Sequence, residues 1–160
     1  MHHCFAPVTR PDTRLLVLGS LPGAMSLSAA RYYANPRNLF WRLIGAAIDR
    51  DLEPLDYEAR LEALLDAGVG LWDTVASATR PGSLDADIRV HAASDLAALA
   101  ATLPSLRAMA FNGGKAAKIG RAQMAGTSLA LVDLPSSSPA HASLSFERKR
   151  DAWHVLRAYL

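Results

Sequence analysis

The chain has 160 residues, 51% of them hydrophobic and 20% charged, with a net charge of +2. That length fits one domain, 1–160, with a core of its own, and is too short for two typical ones. No apolar run approaches the roughly 20 residues needed to cross a bilayer, and Met1-His2-His3-Cys4 lacks the basic start and apolar stretch of a signal peptide.

In chain order, Arg14 to Leu18 is a short apolar run ending at Gly19 and reads as a buried strand. A long stretch with Pro22, Gly23 and Pro36 follows up to Asn38, with a helical turn near Ser26 to Arg31. A helix begins after Asn38, with Phe40, Leu43, Ile44 and Ile48 at helical spacing. Leu61, Leu64 and Leu65 mark a second helix that ends at Gly68, and Val69 to Trp72 reads as a short strand. Residues 73–93 read as loop, with Pro81-Gly82 as the breaker. A helix over Ser94 to Leu103 is expected, capped by Ser94. Leu106 to Phe111 then reads as a strand, Gly114 to Ala122 as a helix and Ser128 to Leu134 as a strand. Ser145 to Tyr159 reads as an amphipathic helix with Phe146, Trp153 and Leu156 inward.

Strands alternating with helices predict an α/β fold, three layers α/β/α around a short, mainly parallel four-stranded sheet. Ligands of such sheets bind beyond the carboxyl ends of the strands. That rule selects three loops, 19–38, 112–114 and 135–144, which are also the richest in Gly, Pro, Ser and Asn.

Charge is unevenly spread. Residues 1–50 carry six Lys/Arg against two Asp/Glu, residues 51–100 three against ten, and residues 101–160 eight against three. If the two basic segments share a face, that face attracts phosphate; chance clustering on a solvated surface explains the same counts. Cys4 is the single cysteine, so no intrachain disulfide can form and a reducing cytoplasm is the natural setting. Histidines stand at 2, 3, 91, 141 and 154, without HExxH or CxxC, so neither a metal nor a cofactor is expected. His2, His3 and Cys4 read as a mobile terminus.

Several familiar chemistries are excluded. Gly19-Ser20-Leu21-Pro22-Gly23 follows a strand but is not GxGxxG. Gly114-Lys115 is followed by Ala116, with Met109 where a P-loop needs its first glycine, and no GxSxG occurs. Asp85 and Asp87 fall outside the selected loops and read as turn residues. What remains is a neutral polar pocket: amides from Gly19 to Gly23, Asn35 and Asn38, and hydroxyls at Ser136, Ser137 and Ser138. Tyr32, Tyr33, Phe40 and Trp41 lie beside it. Amides can read a base edge and aromatic rings can stack on it, as an enzyme that flips a base from duplex DNA requires. The plainer reading is equally weighted: Asn38 as a helix cap, Phe40 and Trp41 as core.

The string Gly19-Ser20-Leu21-Pro22-Gly23 with Tyr32-Tyr33-Ala34-Asn35-Pro36-Arg37-Asn38-Leu39-Phe40-Trp41 resembles the first motif region of the hypoxanthine-DNA glycosylases. These are the sixth family of the uracil-DNA glycosylase superfamily. NPRNLFW is also similar to the matching stretch of the mismatch-specific uracil glycosylases. Leu71-Trp72-Asp73, Gly82-Ser83-Leu84-Asp85 and Leu134-Pro135-Ser136-Ser137-Ser138-Pro139-Ala140-His141-Ala142 extend the resemblance over most of the chain.

The resemblance implies a uracil-DNA glycosylase-like fold and a monomeric, monofunctional base-excision-repair glycosylase acting on duplex DNA. Its substrate would be a deaminated base, hypoxanthine first and uracil second. Leu21 stands where the superfamily usually places a water-positioning Asp or Asn. In the resembling family a downstream Asn takes over, which matches Asn38 here, with Asn35 as the lesser candidate. Ser136 stands where many relatives present His or Asn to a pyrimidine carbonyl. Both departures weigh against efficient uracil removal. The implied roles are base binding by Gly19, Ser20, Leu21, Pro22, Gly23, Tyr33, Phe40 and Ser136, with Phe40 stacking on the base. Candidate DNA contacts are Arg37, Lys115, Ser137, Ser138, His141, Arg148 and Lys149. Two rivals stay open: an inactive DNA-binding relative, and a small α/β hydrolase using Ser20 or Ser136 on a free nucleotide or ester.

Overall fold

The computed structural model describes residues 2–80 and 89–160. Pro81-Gly82, Ser83, Leu84, Asp85 and Asp87 lie outside the described residues. In chain order the elements are β1 (His2–His3), β2 (Leu15–Gly19), α1 (Ala24–Ala29), α2 (Phe40–Ile48), α3 (Tyr57–Asp66), β3 (Val69–Asp73), β4 (Val75–Thr79) and β5 (Arg89–Ala93). Then come α4 (Leu96–Ala101), β6 (Ala108–Asn112), α5 (Gly114–Gln123), β7 (Ala130–Leu134) and α6 (Phe146–Trp153), which runs into a 3-10 segment, His154–Tyr159.

Four strands form an all-parallel sheet in the order β3-β2-β6-β7. Its two faces explain the apolar runs. Successive residues of a strand point to opposite faces, so Leu15, Val17, Ala108 and Ala110 pack against α2, α3 and α6. Leu16, Leu18, Met109 and Phe111 face the other way, toward α4 and α5. The four leucine and valine side chains of β2 are fully buried; each contributes about 1.5–3 kcal/mol by leaving water. The layered α/β/α reading of the pattern is therefore the observed one.

A second sheet, β1-β4-β5, is antiparallel, and its strands β4 and β5 lie in the span read as loop over 73–93. The strand signal of Val75–Thr79 is faint because, after Val75, its buried positions hold Ser77 and Ala78 rather than large β-formers. Its pairing with β1 is non-local and its pairing with β5 is shifted in register. The N-terminus is correspondingly not a loose arm: His2 and His3 pair with Ala78 and Ser77. The cap of α4 is Asp95, which accepts the Ala98 N–H, and not Ser94, which is buried and gives its own N–H to the Thr74 carbonyl.

Candidate active site

The carboxyl ends of β2, β3 and β6 meet the last loop at one concavity of about 180 Å³. That is below the roughly 300–1,000 Å³ of drug-sized sites and suits a single ring system. Gly19 to Gly23, Tyr33, Asn35, Asn38 and Ser136 to Ser138 all line it, so the loops at 19–38 and 135–144 share one wall-to-wall site. Asp73 and Asn112 line it as well. Neither was singled out from sequence as a site residue, although both end strands that aim at the selected loops.

The Gly19–Gly23 turn is held from below. Its Gly19 and Ser20 carbonyls accept from Thr74 and Val75, and the buried Arg80 donates to the Pro22 carbonyl at 2.5 Å. Among the described residues the N–H groups of Leu21 and Gly23, two residues that line the cavity, find no acceptor. Gly19 stands in register with Asp73 on β3. A Cβ there would lie 2.7 Å from Asp73 Oδ1, so only glycine leaves room for that carboxyl group. Leu21 is buried against Val75 and Ala78 and brings no polar atom.

Asn112, itself buried, is the strut between the loops. Its Oδ1 accepts the Ser137 N–H at 2.9 Å, and its Nδ2 donates to Ser137 Oγ at 2.9 Å and to the Tyr33 hydroxyl at 3.3 Å. Ser137 in turn accepts the Leu39 N–H through its carbonyl, tying in the start of α2. Gly113 follows with φ +97, a left-handed value that opens α5 and brings the chain against Ser136.

Asn38 is half-buried and its Oδ1 accepts the Phe40 N–H at 2.9 Å. It therefore does serve the helix start, although the residue in the cap position is Leu39. Asn38 also lines the cavity, and its Nδ2 group bonds to no described residue, so the helix-start contact leaves amide capacity unused.

Three expected contacts move. Phe40 is fully buried in the main core and does not line the cavity; the Tyr33 ring covers it, stacked at 3.8 Å and 10°. Ser137 is also buried, with its amide and hydroxyl engaged by Asn112, so it frames the site and is not a surface contact for phosphate. Lys149 is buried too: its ammonium donates to the His141 carbonyl at 2.5 Å, and burial pushes its pKa down. With Trp153 Nε1 on the Pro135 carbonyl at 3.0 Å, it pins the last loop to α6. Arg37 and Arg148 are exposed, Lys115 and His141 half-buried, and none of the four lines the cavity. Among the described residues Arg37, Lys115 and Arg148 have no ion-pair partner, whereas Arg10, Arg121 and Arg157 are paired with acids.

The same residues carry a family signature. Residues 6–158 match the model of the uracil DNA glycosylase superfamily. The chain belongs to the uracil DNA glycosylase superfamily. It is 37% identical over 153 residues to a hypoxanthine DNA glycosylase of Methanosarcina acetivorans, spanning 96% of both chains. It is 40% identical over 111 residues to a hypoxanthine DNA glycosylase of Methanosarcina barkeri, covering 69% of this chain and 70% of that one. The solution NMR structure of a candidate uracil DNA glycosylase from Methanosarcina acetivorans superposes with a TM-score of 0.87 at 36% identity, over 98% of this chain and 97% of the other. This superfamily member thus carries the GSLPG turn and the PSSSPA loop on opposite sides of one cavity. No described helix is long and apolar enough to cross a membrane.

Proposed function

We propose that the chain is a monofunctional DNA glycosylase that takes a flipped deaminated base, hypoxanthine first, into this cavity and hydrolyses its N-glycosidic bond. The observation that carries the reading is the convergence of all three strand-end loops on one small, mainly apolar cavity with polar groups from Asn38, Asp73 and Asn112 and an aromatic wall, in a chain 37% identical to a hypoxanthine DNA glycosylase. A base within a duplex reaches such a cavity only by rotating out of the stack. Glycosidic cleavage builds positive charge on the sugar and negative charge on the departing base. Fixed hydrogen-bond donors aimed at the base stabilise the second charge without reorganising; in this reading the Leu21 and Gly23 amides supply them, and their lack of any acceptor among the described residues supports it. Asn38 holds the attacking water, in the absence of any polar group on Leu21. The aromatic side of the cavity is the Tyr33 ring with Phe40 beneath it, and Ser136 and Ser138 with Arg37, Lys115, His141 and Arg148 engage the DNA backbone on either side. The nucleophile is water, so neither a metal nor a cofactor is required by the scheme.

The test is a pair of substitutions at Asn38, assayed by base release and alkaline strand scission on duplexes carrying deoxyinosine, deoxyuridine or deoxyxanthosine. Asn38→Ala is expected to bind the deoxyinosine duplex and to lose most base release, while costing about 1 kcal/mol of stability through the lost Phe40 N–H acceptor. Asn38→Asp keeps that acceptor, so it melts near the parent while changing rate or base preference. Parent-like release by Asn38→Asp on every lesion would reduce Asn38 to a helix-start residue. No release by the parent from any lesion would refute the proposed activity.

A further inference from the structure

Tyr33 makes two contacts of the kind a flipped base needs. Its ring lies nearly parallel on Phe40, with centroids 3.8 Å apart and planes 10° apart, which is the geometry of base–aromatic stacking. Its hydroxyl takes the Asn112 Nδ2 donor at 3.3 Å. The other rings around Phe40 meet it edge-on, Trp41 at 81° and Trp153 at 75°. Tyr33 is thus the ring lying flat on Phe40 among the described residues. Its backbone sits at φ +51, a left-handed value uncommon for a bulky side chain. The Tyr33 carbonyl is held by Trp41 Nε1 at 3.1 Å, which fixes the backbone from which the ring projects.

We propose that Tyr33 is a built-in competitor for the base subsite, and through this a specificity-determining residue. Its ring covers Phe40 and its phenol oxygen occupies the Asn112 donor; a flipped base enters by displacing it. This rests on the reading of the cavity as a base site given above. The exchange is balanced for one class of base. Hypoxanthine presents a carbonyl oxygen at its 6 position, an acceptor that replaces the phenol oxygen on Asn112 Nδ2. Adenine presents an amino donor at that position, which meets a donor and replaces nothing. Tyr33 therefore returns to Phe40 against adenine and yields to hypoxanthine. The same competition lowers the apparent affinity for every base by the fraction of time the subsite is open.

The experiment compares the parent with Tyr33→Gly, which fits the positive φ, and with Tyr33→Phe, which keeps the stack and removes the hydroxyl. Three quantities are read: KM and kcat/KM on deoxyinosine duplex, Kd for free hypoxanthine from tryptophan fluorescence, and the deoxyinosine-to-deoxyadenosine excision ratio. Tyr33→Gly is expected to lower KM and the free-base Kd by about threefold to tenfold and to shrink the excision ratio; Tyr33→Phe falls between it and the parent. A folded Tyr33→Gly whose base affinity is unchanged or weaker overturns the inference and makes Tyr33 the floor on which the base stacks. If Tyr33→Gly does not fold, Tyr33→Phe decides by the sign of the same change in Kd. A parent that excises lesions, with a Tyr33→Gly of higher KM, leaves the glycosylase reading standing and sinks this one. A parent that excises nothing sinks the glycosylase reading, and the free-base Kd then judges Tyr33 by itself.

Discussion

Replacing Asn112 by alanine tests whether one amide holds the two halves of the site together. The substitution removes three hydrogen bonds, two to Ser137 and one to the Tyr33 hydroxyl. The Ser137 N–H suffers most, because Ser137 is 1% exposed and loses its Oδ1 acceptor, a loss that water entering from the cavity offsets only in part. A buried donor left unsatisfied costs about 1–3 kcal/mol, and the second Ser137 bond adds about 1 kcal/mol. The Tyr33 hydroxyl borders the cavity and can turn to water, so it adds little. The expected loss is about 2–4 kcal/mol, or roughly 5–15 °C in Tm for a domain of this size. Asn112→Asp keeps the acceptor for the Ser137 N–H, and both hydroxyls can rotate to donate, so it should melt well above Asn112→Ala while putting charge on the cavity wall. Thermal melts by circular dichroism and base release on deoxyinosine duplex read the two effects separately. If Asn112→Ala melts within about a degree of the parent, Asn112 is no strut and the loops are joined by other contacts.

Phe40→Ala should cost about 3–5 kcal/mol in urea unfolding, as for a fully buried aromatic; a loss of activity with parent-like stability would instead make Phe40 a pure ligand contact. Arg148→Ala should flatten the log–log salt dependence of duplex affinity by about 0.9 if it neutralises one phosphate, while Lys149→Met leaves that slope alone because its ammonium faces the His141 carbonyl. Lys149 also predicts a pH effect. Burial lowers its native pKa, while the unfolded chain titrates near 10.4, so between those values the unfolded state holds the extra proton. Stability relative to Lys149→Met should therefore rise with pH across that window and stay flat at its lowest below it; a difference that falls with pH would mean the ammonium is stabilised where it lies.

What the sequence revealed and what it hid follow one physical division. The parallel sheet was legible because Leu15–Gly19 and Ala108–Asn112 are buried on both faces and so read as unbroken apolar runs. The location of the cavity was legible for a related reason: strand order places loop ends at one edge, and those ends are where Gly, Pro and Ser collect. The roles of single side chains were less so, since one residue type serves two environments. Phe40 satisfies both the core spacing of α2 and the description of a base-stacking ring, and nothing in its neighbours says that Tyr33 will lie over it. Asn112 looks like any turn former until Ser137, 25 residues on, is folded against it. Lys149 stands in a run of charges, Glu147 to Asp151, that reads as solvated surface. Its helix phase points the other way, however. Phe146, Lys149 and Trp153 are spaced three and four apart and share the stripe of α6 that faces inward. A lysine on an apolar stripe either snorkels out or finds a carbonyl at the end of its reach, and here it finds His141. The charge that the sequence offered as a DNA contact instead holds the loop that lines the cavity, and the salt slope of Lys149→Met measures the difference.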